Sequence, residues 1–198
     1  MGLEKQDISF ADGLADEYVE LAKAAIARYA EAETVLAIPQ ELPDSMRQNR
    51  AAVFVSIKKR GQLRGCIGTI IPCCECVAEE VIQNAISACS RDPRFPPVRE
   101  NEIHDLSVSV DVLTEPEPVL SADELDPSRY GVIVSSGYRR GLLLPDLAGV
   151  DSVEDQLMIA LQKGGIRTHE AYQMERFEVI RHETCADRWP SVFDAVTG

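Results

Sequence analysis

Two apolar runs, Ala51 to Lys58 and Leu63-Arg64-Gly65-Cys66-Ile67-Gly68-Thr69, are joined by a short turn through Arg60, Gly61 and Gln62. No other stretch limits the fold of this chain as much, because apolar runs joined by a glycine-containing connection are the short-range signal for paired antiparallel strands. Side chains alternate across a strand, so strict alternation puts Arg64, Cys66 and Gly68 on one face and Leu63, Gly65 and Ile67 on the other. A cation beside a thiol favours the thiolate, the form that attacks electrophiles or binds metals. The same residues also suit a plain structural role in which Cys66 is a small buried hydrophobe. Gly65 and Gly68 likewise allow either a ligand to approach the backbone or another element to pack closely.

The remaining pattern alternates helices and strands. Leu14, Tyr18, Leu21, Ala22, Ala25, Ile26 and Tyr29 recur at helical spacing, which predicts an amphipathic helix from about Asp12 to Glu33. Cys73-Cys74-Glu75-Cys76 leads into a second helix with Val77, Val81, Ile82, Ala85 and Cys89 on one face. A Cys-x-x-Cys spacing at a helix start depresses a thiol pKa or supplies half a zinc site, but the other half is missing, and small residues filling a helix start are the preferred account. Arg91-Asp92-Pro93-Arg94-Phe95-Pro96-Pro97 is a proline-stiffened loop. Either Asp92 pairs with Arg94 to fix the loop while Phe95 plugs the core, or Arg94 holds a ligand.

Leu106 to Leu113 alternates cleanly, with Asp111 on a face expected to be solvated. The proline-rich, acidic segment from Glu115 to Tyr130 reads as a linker or as part of a small peripheral lobe. Gly131 to Ser136 and Arg140 to Leu144 form a second hairpin. Ser152 and Asp155 cap a third helix that Gly164 and Gly165 stop, and a last strand is expected around Met174 to Arg181 with Phe177 and Val179 inward. Trp189 is expected to pack onto the body, and His104, His169 and His182 read as surface residues rather than partners of Cys66. The fold class is therefore α+β, a mainly antiparallel sheet of two hairpins plus further strands packed by about three helices, with 1–198 as one domain.

A net charge of −13 argues against nucleic acid and against anionic membranes, and no apolar run is long enough to span a bilayer. Yet Lys58, Lys59, Arg60 and Arg64 crowd the hairpin and Arg91, Arg94 and Arg99 the next loop, so a local site for a small anion fits inside an acidic shell. Met1 to Phe10 lacks the basic and apolar parts of a secretory signal, and the clustered cysteines read as reduced thiols, so the expected location is cytoplasmic. No H-x-x-x-H, Walker or dinucleotide fingerprint is present, and neither metal nor cofactor is expected.

Leu63 to Thr69 resembles the signature of the AMMECR domain family, met in bacteria and archaea as protein A of the AmmeMemoRadiSam system. The resemblance continues through Asp92 to Pro97, Leu106 to Leu113, Gly131 to Val134 and Gly141 to Pro145, in the family's order. It implies that the Asp92 loop lies close to the signature strand, with Arg64, Cys66, Asp92 and Arg94 facing one cleft. Cys66 is then the candidate nucleophile, and Arg64, Gly65, Gly68, Thr69, Asp92 and Arg94 are the candidate ligand-binding residues. The family's genomic company implies a pathway shared with a Memo-type protein and a radical S-adenosylmethionine enzyme. The competing expectation is a non-catalytic protein-binding domain in which Cys66 and the glycines are structural.

Overall fold

The computed structural model describes residues 16–183, so Leu14, Cys185 and Trp189 lie outside the described residues. In chain order the first half holds helices α1 (Glu17–Ala32) and α2 (Asp44–Gln48), strands β1 (Val53–Lys59) and β2 (Gln62–Gly68), helix α3 (Val77–Ser90), a 3₁₀ turn at Glu100–Asp105 and strand β3 (Leu106–Leu113). The second half holds β4 (Glu117–Val119), β5 (Gly131–Ser136), β6 (Arg139–Leu143), helix α4 (Val153–Gly164), β7 (Gln173–Phe177) and β8 (Val179–Glu183). The fold is α+β, with two four-stranded antiparallel sheets ordered β2-β1-β3-β8 and β4-β7-β5-β6.

Both hairpins form where the alternation places them. Arg60 and Gly61 take positive φ (51° and 80°), matching the turn that the twist of a two-residue hairpin requires. Val53, Val55 and Ile57 are fully buried beneath α1 and α3, and Val132, Val134 and Leu143 are buried beside Ala160 and Leu161 of α4. Asp16 opens α1 by accepting the Tyr18 and Val19 amides, and Ser152 opens α4 through Asp155 as its spacing predicts.

The hairpins seed separate sheets rather than one. Each is followed by a helix and then by a strand that returns beside the hairpin's first strand: β1-β2-α3-β3 and β5-β6-α4-β7. The two units exchange their fourth strands, since β8 completes the first sheet and β4, from the acidic segment, completes the second. The single last strand expected around Met174 to Arg181 is therefore two strands in two sheets. At the crossing, Thr114 and Glu178 clasp each other: the Thr114 amide donates to the Glu178 carbonyl at 3.0 Å, and the Glu178 amide to the Thr114 Oγ1 at 2.9 Å. Between the sheets runs an apolar seam of Ala52, Leu113, Ile133, Leu142 and Phe177, flanked by Phe54 and Ile70. Among the described residues no helix is long and apolar enough to cross a membrane.

Candidate thiol and arginine site

Strand β2 lies at the edge of its sheet, and it is irregular at the residue that matters most. The register pairs Ile57 with Gly65 but Lys58 with Leu63, so Arg64 is an extra residue in a β-bulge. A bulge cancels the alternation on which the sequence reading relied, and Arg64 does not stand beside Cys66. Its guanidinium reaches the Glu102 carboxylate at 2.7 Å and the Pro96 and Pro97 carbonyls at 2.8 and 3.2 Å. Lys59 joins the same carboxylate at 2.9 Å. Burial alone raises the Glu102 pKa, but the hydrogen bonds from Arg64, Lys59 and the Arg99 amide outweigh it and lower it to about 2.

Cys66 instead faces Ser56, its partner on β1, whose hydroxyl donates to the sulfur at 3.3 Å. The thiol is half-buried and free. The cation next to it is Arg94. Asp92, 4 % exposed, accepts the Cys66 amide at 2.9 Å, the Arg94 amide at 3.0 Å, and Arg94 Nε and Nη2 at 2.9 and 2.7 Å. The same Nη2 donates to the Cys66 carbonyl at 3.1 Å. One ion pair thus satisfies both open backbone groups of Cys66 on an edge strand, in place of a neighbouring strand.

Hydrogen bonds from the Arg94 guanidinium hold the Asp92 carboxyl far below the usual carboxylate range, against its burial. Arg94 is in turn raised, chiefly by Asp92 and, more weakly, by the Cys66 thiol. The Arg94 side chain is 53 % exposed, lies 5.5 Å from the Phe95 ring, and donates no hydrogen bond from Nη1 among the described residues. The proline loop therefore does lie against the signature strand, but Phe95 is only partly buried and stacks near Arg94 rather than plugging the core. The arrangement is a half-buried sulfur, a hydroxyl on it, and a fixed guanidinium that keeps Nη1 for an oxyanion.

The signature glycines and Thr69 have packing roles. A Cβ on Gly65 would stand 2.2 Å from the Ala88 carbonyl of α3, and one on Gly68 would stand 2.3 Å from the Phe54 ring. Thr69 Oγ1 donates to the buried Glu80 carboxylate at 2.5 Å, whose other oxygen accepts the Cys73 and Cys74 amides at 2.8 Å each. Burial together with Glu80 and Glu79 pushes the Cys74 thiol up to about 12, opposite to the low value that a helix start would give. Among the described residues no three His, Cys, Asp or Glu side chains gather as a metal site.

Two further expectations change. Asp111 is not on a solvated face: it is 4 % exposed and accepts Arg181 Nε at 2.8 Å. His182 is not a surface residue either, being buried with Nδ1 2.8 Å from Asp16 and its ring stacked on Tyr18. Ser56 and Glu102 escaped the sequence reading. The hairpin register, once known, assigns Ser56 to Cys66, whereas nothing local marks Glu102 as the acceptor for Arg64.

The AMMECR1 family model matches residues 19–184, which include every residue of this site. The chain belongs to the AMMECR1 family. Protein CA_C1420 of Clostridium acetobutylicum is 50 % identical over 169 residues, a span covering 85 % of this chain and 36 % of that protein. A Thermotoga maritima protein is 46 % identical over 168 residues, covering 84 % of this chain and 97 % of that one. The AMMECR1 fold recurs in the crystal structure of the uncharacterised protein PH0010 from Pyrococcus horikoshii, with a TM-score of 0.79 and 30 % identity over 89 % of this chain and 96 % of that one.

Proposed function

We propose that this AMMECR1 protein acts on a small anionic molecule at Cys66, as an enzyme or as a component of one, in a pathway with Memo-type and radical S-adenosylmethionine partners. Cys66 is the nucleophile, Arg94 binds the anion through Nη1, Asp92 positions both, and Ser56 orients the sulfur. Arg64, which the resemblance offered as a second anion holder, is assigned a structural part, since Glu102 and two proline carbonyls occupy it. The observation that carries this reading is the half-exposed Arg94 guanidinium, fixed by buried Asp92 against a free thiol on an edge strand.

The test compares alkylation of Cys66 by anionic iodoacetate and neutral iodoacetamide, read by mass spectrometry. A guanidinium about 6 Å from the incoming charge contributes about 0.7 kcal/mol in water, or about threefold in rate. The iodoacetate-to-iodoacetamide rate ratio falls by about that factor in Arg94→Gln and stays unchanged in Arg64→Gln. Equal ratios in wild type and Arg94→Gln, or a Cys66 that no reagent modifies in the folded protein, remove the anion role.

A second reading has its own support. The close packing at Gly65 and Gly68, and an ion pair that closes a strand edge, are what a non-catalytic binding domain needs. Under it Cys66→Ser leaves function intact.

A further inference from the structure

Strand β2 ends beside the thiol with part of its edge unused. Cys66 turns both backbone groups away from β1, its amide to Asp92 and its carbonyl to Arg94 Nη2. The Thr69 amide points the other way, to the Val53 carbonyl at 3.0 Å. Backbone groups alternate along a strand, so Gly68 faces outward as Cys66 does. Its amide and its carbonyl have no hydrogen-bond partner among the described residues. Gly68 is only partly buried and is the last residue of β2. The missing Cβ makes room for Phe54, while the main chain stays open.

The guanidinium is aimed along the same edge. Nε and Nη2 both reach Asp92, and Nη2 also reaches the Cys66 carbonyl. Nη1 is therefore the corner of the planar group farthest from Asp92, and since Asp92 stands at the Cys66 amide, that corner is displaced along the strand toward Gly68. Beyond the Cys66 carbonyl the edge thus offers two donors, Nη1 and the Gly68 amide, and then one acceptor, the Gly68 carbonyl.

We propose that this edge binds the carboxylate end of an α-amino acid unit whose nitrogen carries a hydrogen: a free or N-acylated amino acid, or the last residue of a peptide. In an antiparallel pair, a residue opposite Gly68 accepts its amide proton and donates to its carbonyl. Such a residue points its C-terminal side toward Cys66. The Asp92 and Arg94 pair already stands where the next residue would bond Cys66, so the added chain ends there, and its end is a carboxylate. One carboxylate oxygen takes the Gly68 amide, the other takes Nη1, and the ligand N–H meets the Gly68 carbonyl. The inference rests on the reading of Arg94 as the anion holder and gives that anion its class.

Ile67-Gly68 is the sole Ile-Gly step in the sequence. The full chain, isotopically labelled at the isoleucine carbonyl carbon and the glycine nitrogen, therefore shows Gly68 as a single peak in a carbonyl-to-amide NMR correlation. N-acetylalanine shifts that peak saturably. O-acetyl-lactate, with oxygen for the N–H, acetate, without the amide, and N-acetylalaninamide, without the carboxylate, each bind at least about tenfold more weakly. Arg94→Gln weakens N-acetylalanine by a similar factor; the ligand series uses the wild-type chain and stands even if this variant does not fold. Alanine and trialanine separate the sources of the shared group: equal affinities mark a small-molecule site, and tighter trialanine marks a peptide end. The proposal is overturned if acetate or O-acetyl-lactate binds as tightly as N-acetylalanine, a result that leaves Arg94 an anion holder of no particular class. It is also overturned if no carboxylate moves the Gly68 peak, and the iodoacetate-to-iodoacetamide ratio then decides whether Arg94 loses its anion role as well.

Discussion

Gly65→Ala tests whether the central glycine of the signature serves packing or ligand approach. A Cβ there would lie 2.2 Å from the Ala88 carbonyl oxygen and 3.1 Å from its carbon, so α3 must retreat by about 0.8 Å merely to bring the oxygen to 3.0 Å. Backbone stands on both sides of this clash, and no rotamer relieves it. The retreat lifts Val81, Ile82, Ala85 and Ile86, all at most 1 % exposed, off the sheet they cover. Overpacking of this kind costs about 1–3 kcal/mol, and the rigidity of both partners puts this case at about 3. Replacing glycine also returns about 0.4–1 kcal/mol by restricting the unfolded chain, so about 2–3 kcal/mol is the expected net loss. In urea titrations followed by far-UV circular dichroism this appears as a lower midpoint at unchanged slope, and in melting as a drop of about 4–12 °C for a chain of this size. Gly141→Ala, whose Cβ would meet the Ala160 carbonyl at 2.0 Å, behaves the same way in the second unit. A loss under about 1 kcal/mol for Gly65→Ala refutes the seating of α3 on β2 and returns Gly65 to the ligand reading.

Acid and thiol chemistry give two more tests. Glu102 is held at about 2, below its ordinary 4.5, so its stabilisation is complete above about 4.5 and is lost as pH falls toward 2. Glu102→Gln therefore costs about 2 kcal/mol at pH 6, and its urea stability converges on wild type only as pH falls to about 2 and below; parallel pH curves contradict the Glu102, Arg64 and Lys59 cluster. With its thiol pushed up to about 12, Cys74 alkylates at pH 8 at least about tenfold more slowly than exposed Cys73. Peptide mapping after timed iodoacetamide treatment reads this, and equal rates refute the influence of Glu80 and Glu79.

Local pattern was enough for the hairpins and for α4 with its Ser152 cap, because each depends on residues close in sequence, whereas it was the family resemblance that brought the Asp92 loop to Cys66, 26 residues away. What stayed hidden depends on partners far along the chain. The bulge at Arg64 is invisible to a period-two count, since an extra residue leaves the apolar pattern intact and changes only which face follows. Strict alternation therefore put Arg64 beside Cys66, whereas in the structure Arg64 goes to Glu102 and it is Arg94, 28 residues on and also expected at this cleft, that bonds the Cys66 carbonyl. Likewise Asp111 looked solvated because its partner Arg181 lies 70 residues away on β8.

The exchange of fourth strands has a consequence for cooperativity. Were each sheet closed by its own neighbour in sequence, the two units would share only the seam and would unfold separately. Here β8 leaves the second unit to pair with β3, β4 leaves the first to pair with β7, and the two crossings are bonded at Thr114 and Glu178. Opening either sheet therefore strips a strand from the connection that holds the other. Hydrogen exchange under native conditions measures this directly through the amides of Val55 and Val110 in one sheet and Val132 and Val134 in the other. The expected result is a common opening free energy, equal within about 1 kcal/mol across both sets and tracking global stability in urea. Two well-separated values, with the second sheet opening first, are the outcome that contradicts the interlock, because a strand shared across the crossing ties the opening of one sheet to that of the other.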